Sequence, residues 1–437
     1  MKIAIAGYGV EGEANYNYWA AQPGADITIV DESDAPKHSL PVGVNTILGA
    51  GAFERLNGFD LVVRTAGLAP SKIKTDGKIW SATNEFFVQS PALIIGVTGT
   101  KGKGTTSSMI SSILEAAGKK VWLVGNIGTA ALQTIDQITA NDIVVYEMSS
   151  FQLWDIEHSP HVAVVLPIEP DHLNVHTDME DYVTAKGGIR RYQHVDDICI
   201  YHASNDYARL IALSNQAAPM IRYGIETDGG VYVKNGNFCI REHIICSIDV
   251  MQVPGQHNID NACAAMSVVQ QLGLQQAIVD GAITTGMRNF KALPHRIELV
   301  RNLDGVEYYN DSFSSAPSAS IAAIQSFTQP EIVIVGGVDK GADFGELAEA
   351  IKTSPYVKEI VLIGQIRDKL HGILKDAGIT APLTLLDAQT MPQIVGYVHG
   401  RVNAGDVVLF SPGCASFDMF KDFYDRGNQF RSIVMAL

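Results

Sequence analysis

A parallel α/β architecture spread over more than one domain is what this sequence predicts, on three observations. Short β-rich apolar runs repeatedly end in Gly, Ser or Asn and lead into helix-like segments, the rhythm of successive βα units. Two of those runs are followed at once by glycine-rich turns, "GYGVEG" (7–12) and "GTKGKGTT" (99–106), of the kind that lets backbone N–H groups approach phosphate. At 437 residues the chain also exceeds one core and fits two or three domains.

The strand runs fall into three groups. "KIAIAG", "DITIVD" and "DLVVRTAG" form the first. "ALIIGVTG", "KVWLVGNIG", "DIVVYEMSS" and "VAVVLPI" form the second, and "EIVIVGG", "EIVLIG" and "DVVLFSPG" the third. Residues 223–253 alternate differently and carry "DGG" and "NGN" turn signals, which predicts a small antiparallel meander attached to the middle domain. Boundaries are expected near residues 92 and 293. That gives a Rossmann-like domain over 1–92, a central P-loop domain over 93–293 with a parallel sheet plus the small antiparallel one, and a Rossmann-like domain over 294–437.

Composition narrows the class. Apolar residues at 46% and charged residues at 18% are ordinary for a soluble globular enzyme. No apolar run reaches the length of a membrane-spanning helix, and "MKIAIAGYGVEG" does not read as a signal peptide. The five scattered cysteines show neither metal-type pairing nor a disulfide framework, which favours a reducing cytoplasm. A formal charge of −15 argues against a nucleic-acid or anionic-membrane partner.

In "GYGVEG", Gly7, Gly9 and Gly12 follow a strand, and Asp31 closes the next one. Glycines there admit a pyrophosphate at a helix N-terminus, and the acid can take a ribose hydroxyl. A nicotinamide or flavin cofactor, another nucleotide and a tight structural turn all fit that spelling. In "GTKGKGTT", Gly99 and Gly102 permit a compact anion nest, and Lys103 can reach the β- and γ-phosphates. Thr105 or Thr106 can offer a hydroxyl to Mg²⁺. The residue after the lysine is Gly104, where a standard P-loop has Ser or Thr. A helix follows with Met109, Ile113 and Ala117 on one face beside Ile110 and Leu114, ended by Gly118. The bland alternative is a lysine-bearing surface loop.

A third constellation points to a metal. "VVYEMSSFQL" puts Glu147 at the end of a buried strand, and "PDHLNVH" puts Asp171 and His172 beyond the next. Ligands gather at the carboxyl ends of parallel strands, so Glu147 and His172 are plausible Mg²⁺ ligands beside a phosphate loop. Taken singly, one reads as a helix N-terminal charge and the other as a satisfied loop histidine.

With these motifs in view, the chain resembles the Mur ligases over essentially its whole length. The resemblance rests on "GTKGKGTT", "GNIG" (125–128), "SSFQL", "DHLNVH", "AKGGI", "GQHNIDNACAA" (255–265), "LPHRIELV" (293–300), "NDS" (310–312) and "SPGCASFDMFKDFYDRGNQF" (411–430). It implies three domains that bind a UDP-sugar, ATP and an amino acid in that order, and it turns the first glycine turn toward a UDP pyrophosphate. "GKG" followed by Thr is the spelling typical of folylpolyglutamate synthetases, relatives with the same ATP chemistry, and it makes Thr105 the metal-serving hydroxyl. The implied reaction is ATP-dependent ligation of D-glutamate to UDP-N-acetylmuramoyl-L-alanine through an acyl phosphate. It would serve cytoplasmic peptidoglycan precursor synthesis and be carried out by a monomer without membrane insertion or nucleic acid.

Residue by residue, the resemblance implies roles as follows. Gly99, Thr100, Lys101, Gly102, Lys103, Gly104, Thr105 and Thr106 would cradle ATP, with Asn261 at adenine, Arg296 at a phosphate and Asp311 at the ribose. Gly9, Val10, Glu11, Gly12, Asp31, Thr65, Gly67, Asn126, Ser149 and Gln152 would serve the UDP-sugar. Thr105, Glu147, His172 and Lys186 would hold two Mg²⁺ ions, with Lys186 carbamylated by CO₂, and Lys103, His172 and Lys186 would be catalytic. Ser315, Lys340, Ser416 and Phe423 would hold glutamate.

The chain departs from the family's usual spelling at four places: Phe313 follows "NDS" where a lysine is usual, "TAG" (65–67) replaces Ser-Pro-Gly, Pro167 replaces an Asn, and "DES" follows the second strand without an arginine. Ligation of L-glutamate and a folylpolyglutamate synthetase-like reaction are the alternatives within this chemistry. A dehydrogenase explains only Gly7 to Gly12, and a decayed binding module conflicts with the retained Lys103, Glu147, His172 and Lys186.

Overall fold

A computed structural model describes residues 1–36, 38–126, 130–226 and 229–437, with nothing stated for the side chain of residue 277. The chain divides into two compact units, residues 1–250 with 260–289, and residues 251–259 with 290–437.

The first unit contains three sheets. Its N-terminal sheet is built from β1 (Lys2–Ala6), α1 (Val10–Ala20), β2 (Asp26–Asp31), β3 (Asn45–Leu48), β4 (Leu61–Arg64), β5 (Lys78–Ser81) and α2 (Ala82–Gln89). Five parallel strands run in the order β3-β2-β1-β4-β5. Ile3 to Ala6 are wholly inaccessible because β1 is central and covered on both faces, which is why that strand reads as a continuous apolar run. Ser81 ends β5 and caps α2, its hydroxyl accepting the Asn84 N–H.

The second sheet holds β6 (Leu93–Thr98), α3 (Lys103–Ala116), β7 (Val121–Gly125), β8 (Ile143–Glu147), α4 (Ser150–Leu153), β9 (Val162–Val165), α5 (Met179–Arg191), β10 (Ile198–His202), α6 (Asp206–Leu213) and β11 (Met220–Tyr223). Its six strands are parallel, in the order β11-β10-β9-β6-β8-β7. The strand order turns at β6, with β8 on one side and β9 on the other, so the loop after β6 opens at a switch point where parallel sheets bind ligands. Met109, Ile110, Ile113 and Leu114 of α3 are fully buried, each contributing about 1.5–3 kcal/mol by removal from water.

The expected meander is a three-stranded antiparallel sheet, β12 (Val231–Lys234), β13 (Asn237–Ile240) and β14 (His243–Ser247). It starts later than expected: residue 223 belongs to β11, paired in parallel with β10. Asp228 of the "DGG" signal lies outside the described residues. Helices α7 (Gln256–Gln270) and α8 (Gln276–Asn289) follow. Gly286 lets α8 come close to α3: a Cβ there would sit 2.5 Å from the Ile113 Cα, and the Ser112 hydroxyl donates to the Gly286 carbonyl.

The second unit carries β15 (Glu298–Leu303), β16 (Val306–Asn310), α9 (Pro317–Ile324), β17 (Glu331–Gly336), α10 (Gly345–Thr353), β18 (Val357–Ile363), α11 (Arg367–Asp376), β19 (Leu383–Leu385), α12 (Met391–His399), β20 (Val407–Phe410) and α13 (Phe423–Ala436). The sheet order is β15-β16-β20-β17-β18-β19, parallel except for β15, which pairs antiparallel with β16. That hairpin was not expected, although its signal is present: "DG" at 304–305 between apolar runs, with both residues at positive φ. The α/β class expected from sequence is therefore the class observed. Among the described residues, no helix is long and apolar enough to cross a membrane.

Candidate active site

The loop between β6 and α3 is built around Gly102, the N-cap of α3, whose φ is 80°. A side chain there would be strained and would also strike Asn261, whose Oδ1 lies 2.3 Å from the Cβ position. Lys103 folds back across the loop, its Nζ donating to the carbonyls of Gly99 (3.0 Å) and Thr100 (2.9 Å). The Thr100 hydroxyl donates to the Glu169 carbonyl at 3.0 Å, and exposed Lys101 pairs with the Glu169 carboxylate at 3.5 Å. Gly104 is buried and Thr105 half-buried in the first turn of α3. Thr106 is buried and donates to Asn261 Oδ1 at 3.2 Å. Thus Asn261, far away in sequence, lies against this loop.

Glu147 ends β8 and is almost fully buried. Its Oε1 accepts from Asn126 Nδ2 at 3.2 Å, while Oε2 has no hydrogen-bond partner among the described residues. The Asn126 N–H also donates to the Glu147 carbonyl at 3.1 Å. The rest of "GNIG", residues 127 and 128, lies outside the described residues. An orphaned buried carboxylate oxygen is costly unless something else satisfies it, and a hard cation would.

Lys186 projects from α5 and is 1% exposed. Its Nζ donates to the Gly99 carbonyl at 2.8 Å, lies 3.5 Å from Thr98 Oγ1, and sits 4.6 Å above the centre of the Tyr182 ring. Burial, reinforced by the Lys103 charge, holds its pKa well below the usual lysine value, against the opposing pull of Asp171 and Glu147. This buried amine and Lys103 thus share the Gly99 carbonyl.

His172 is exposed, with φ at 55°. Its ring lies 5.0 Å from Phe151, and its Nε2 lies 3.7 Å from Asp171 Oδ2. Burial is the main cause lowering its pKa, with Lys103, Lys186 and His176 in the same direction and Asp171 opposed. Lys103, Asp171 and Lys186 are near enough for their charges to act on His172, and Lys103, Asp171 and Glu147 near enough to act on Lys186. Among the described residues, no group of three or more His, Cys, Asp or Glu side chains is close enough to hold a metal by itself. The oxygens at hand are Glu147 Oε2 and the Thr105 hydroxyl, which suit Mg²⁺ only with further oxygens from phosphate, water or a modified Lys186.

Sequence reasoning missed His176, four residues after His172 in "DHLNVH". It is buried, stacked on Phe151 at 5.5 Å and 7°, with Nδ1 3.1 Å from Asp181 and Nε2 3.0 Å from the Ser150 hydroxyl. It braces the loop that carries His172.

At the first glycine turn, Gly12 is required by close approach, since a Cβ there would lie 2.1 Å from the Gly7 carbonyl oxygen. A Cβ on Gly9 would meet nothing within 4 Å, and Val10 beside it is exposed. The Asp31 carboxylate accepts from the Tyr8 N–H (2.7 Å) and the Ser33 N–H (2.8 Å), so it shapes this turn. Glu11 accepts the Ala66 N–H at 2.8 Å, between Thr65 and Gly67; burial raises its pKa, opposed by that bond and by Arg64. Ser149 and Gln152 bond each other as the capping box of α4. Arg64, also missed from sequence, is wholly buried. It grips Asp155 with two hydrogen bonds (2.7 and 2.5 Å) and donates to the carbonyls of Thr65, Ala66, Leu68 and Phe151.

In the second unit, Asp311 is buried just beyond β16, accepting from the Ile297 N–H (3.2 Å) and the Ser411 hydroxyl (2.7 Å). Burial pushes its pKa up to about 7 against those bonds and the charges of Arg296 and Arg426. The Arg296 guanidinium lies 3.8 Å over the Phe313 ring. Phe423 opens α13 and meets Phe313 edge-on at 5.0 Å. Ser416 is buried and Ser315 exposed. Lys340 is exposed, 5.4 Å from the centre of the Phe417 ring.

Comparison with known proteins adds a family. Residues 97–269 match the Mur ligase middle domain, and residues 295–414 match the Mur ligase glutamate ligase domain. The chain is similar to the UDP-N-acetylmuramoylalanine–D-glutamate ligase of Acetivibrio thermocellus, 36% identical over 100% of this chain and 96% of that one. The protein of the same name from Clostridium tetani is 33% identical over 100% and 97%. Among solved structures, MurF ligase of Thermotoga maritima in complex with ADP superposes with a TM-score of 0.61 at 18% identity, over 99% of this chain and 95% of that one, a likeness of fold.

Proposed function

Since this chain belongs to the Mur ligase family, we propose that it ligates D-glutamate to UDP-N-acetylmuramoyl-L-alanine in cytoplasmic peptidoglycan precursor synthesis. It is an ATP-dependent ligase of that family. The observation that carries the finer reading is the buried Lys186 amine 2.8 Å from the phosphate-loop carbonyl of Gly99. The relatives that bear the D-glutamate ligase name are matched over the whole chain, which supports the substrates. In this reading residues 1–92 serve the UDP-sugar, 93–293 ATP, and 294–437 glutamate, in a protein that acts as a monomer.

The chemistry divides into two transfers. A carboxylate oxygen of UDP-N-acetylmuramoyl-L-alanine attacks the γ-phosphorus of ATP; an O–P bond forms, the bond to the β-phosphate oxygen breaks, and ADP leaves. The glutamate amine then attacks the acyl carbon, loses a proton, and the tetrahedral adduct expels inorganic phosphate. Lys103 and the backbone N–H groups at the start of α3 balance the charge that moves along the phosphate chain. Glu147, His172 and Thr105 are the residues that would hold Mg²⁺, which when bound neutralises phosphate charge.

Lys186 is suited to a further role. Its depressed basicity favours the neutral amine, whose lone pair can attack CO₂; an N–C bond forms, a proton departs to solvent, and the carbamate supplies two oxygens that share one negative charge. Asn126 fixes the Glu147 carboxylate, and Asn261 meets the adenine. In the second unit, Arg296 and Asp311 serve the nucleotide, while Ser315, Lys340, Ser416 and Phe423 serve glutamate.

A second reading, ligation of L-glutamate, is favoured by one observation, Phe313 in place of the usual lysine. The test is phosphate release and product mass with UDP-N-acetylmuramoyl-L-alanine, ATP and either enantiomer. Release that requires D-glutamate supports the proposal, preference for L-glutamate replaces it with the second reading, and incorporation of neither removes the ligase assignment.

A further inference from the structure

The turn that carries Arg296 is strained and pinned. His295 and Ile297, on either side of it, have left-handed backbones with φ of 64° and 44°. Ile297 is β-branched, the residue type for which that region is most costly. Such strain persists only where the surroundings over-determine it, and it concentrates where a side chain must be aimed. Several polar contacts hold this turn, among them three to the segment 310–313. The Phe313 N–H donates to the His295 carbonyl at 2.9 Å, the Ile297 N–H donates to Asp311 Oδ1 at 3.2 Å, and Asn310 Nδ2 lies 2.9 Å from His295 Nδ1.

From between the two strained residues, Arg296 extends its guanidinium over Phe313, 3.8 Å from the ring centre. The ring is braced edge-on by Phe423 at 5.0 Å and 82°, and Phe423 packs on Tyr424 at 4.0 Å. Phe313 is nonetheless 40% exposed. A guanidinium carries its N–H donors in its own plane, in the fork that suits phosphate oxygens, and a ring 3.8 Å from its centre restricts how that plane can turn. A ring braced in this way fixes where the fork points.

We propose that Phe313 is a positioning residue for Arg296. The braced ring and the strained 295–297 turn together present the guanidinium to a phosphate of the nucleotide. An aromatic residue follows "NDS" in this chain because what the site uses there is a platform for an existing cation. This rests on the nucleotide role of Arg296 in the proposed function and goes beyond it by giving Phe313 a task.

The experiment is calorimetric ADP binding to the full-length protein, paired with steady-state kinetics. Phe313→Leu is expected to weaken ADP binding and raise the ATP KM about fivefold, the order a partly exposed cation–π contact supports. The ATP KM should rise more than the glutamate KM, and Phe313→Trp should restore ADP binding. Arg296→Ala with Phe313→Leu should bind ADP no worse than Arg296→Ala alone, because the ring acts only through the arginine. Unchanged ADP binding in Phe313→Leu, additive losses in the double variant, a rise confined to the glutamate KM, or no ADP binding by the wild type would each overturn the proposal. Should Phe313→Leu fail to fold, Phe313→Trp against Phe313→Met carries the same comparison. Wild-type protein that binds ADP but ligates no amino acid would sink the proposed function and leave this inference standing.

Discussion

Lys186 Nζ donates to the Gly99 carbonyl at 2.8 Å, tying α5 to the loop after β6 through an amine whose pKa burial holds well below the usual lysine value. Lys103 Nζ donates to the same carbonyl at 3.0 Å. Two ammonium groups on one carbonyl repel, so the Lys103 charge adds to burial in disfavouring a proton on Lys186. Lys186→Ala is expected to lose on the order of a hundredfold or more in turnover, with partial recovery in acetate or another small carboxylate. Full activity of Lys186→Ala in bicarbonate-free buffer would defeat the carbamate.

Lys103→Ala removes the cation from the phosphate loop while leaving Gly102 and the α3 N-terminus in place. Transition-state stabilisation should fall by about 3 kcal/mol, roughly a hundredfold in turnover. Rates within about threefold of wild type, measured by phosphate release at saturating ATP, would show that the lysine does not serve the transferred group.

Lys340 is exposed, and the proposed function gives it to glutamate. Its replacement by alanine should raise the glutamate KM about tenfold and leave the ATP KM close to wild type. An equal rise in both would place its effect elsewhere.

Arg64 and Asp155 hold the loop after β4 to the segment after α4, with the arginine wholly buried. Arg64→Ala would strand Asp155 and four carbonyls and should cost about 3–5 kcal/mol. Thermal unfolding followed by circular dichroism reads this directly; a midpoint within a degree or so of wild type would contradict it.

Glu331 opens β17 with both carboxylate oxygens buried and without a hydrogen-bond partner among the described residues, and burial pushes its pKa up to about 8. The folded chain therefore keeps this proton over a range where the unfolded chain, titrating near 4.5, has lost it. Stability must fall as pH rises between those two values and stay at the lower level above them. Glu331→Gln does not titrate, so its stability relative to wild type should grow from pH 5 to pH 8.5. A difference independent of pH would mean that Glu331 is ionised or paired in the fold.

Much of the molecule was legible locally. β1 is apolar at every turn because both faces are covered, and α3 announces itself by a glycine turn followed by apolar positions at helical spacing. Gly102 needs a left-handed backbone wherever the chain goes next, so the phosphate loop could be read from residues 97–114 alone. The "DG" hairpin at 304–305 is equally local, although the strand runs expected in this part of the chain begin only at "EIVIVGG".

Near neighbours along the chain are enough to set strand and helix periodicity, glycine turns, caps, and the identity of the groups at strand ends. Tertiary structure decided which of those groups meet. Lys186 is an ordinary helix lysine until α5 carries it under Gly99, where desolvation changes its chemistry. Asn261 reaches Thr106 across 155 positions, Arg64 reaches Asp155 across 91, and Arg296 finds Phe313 through a strained turn. Burial and long-range charge depend on the whole packed volume around a group, and no window along the chain contains that volume.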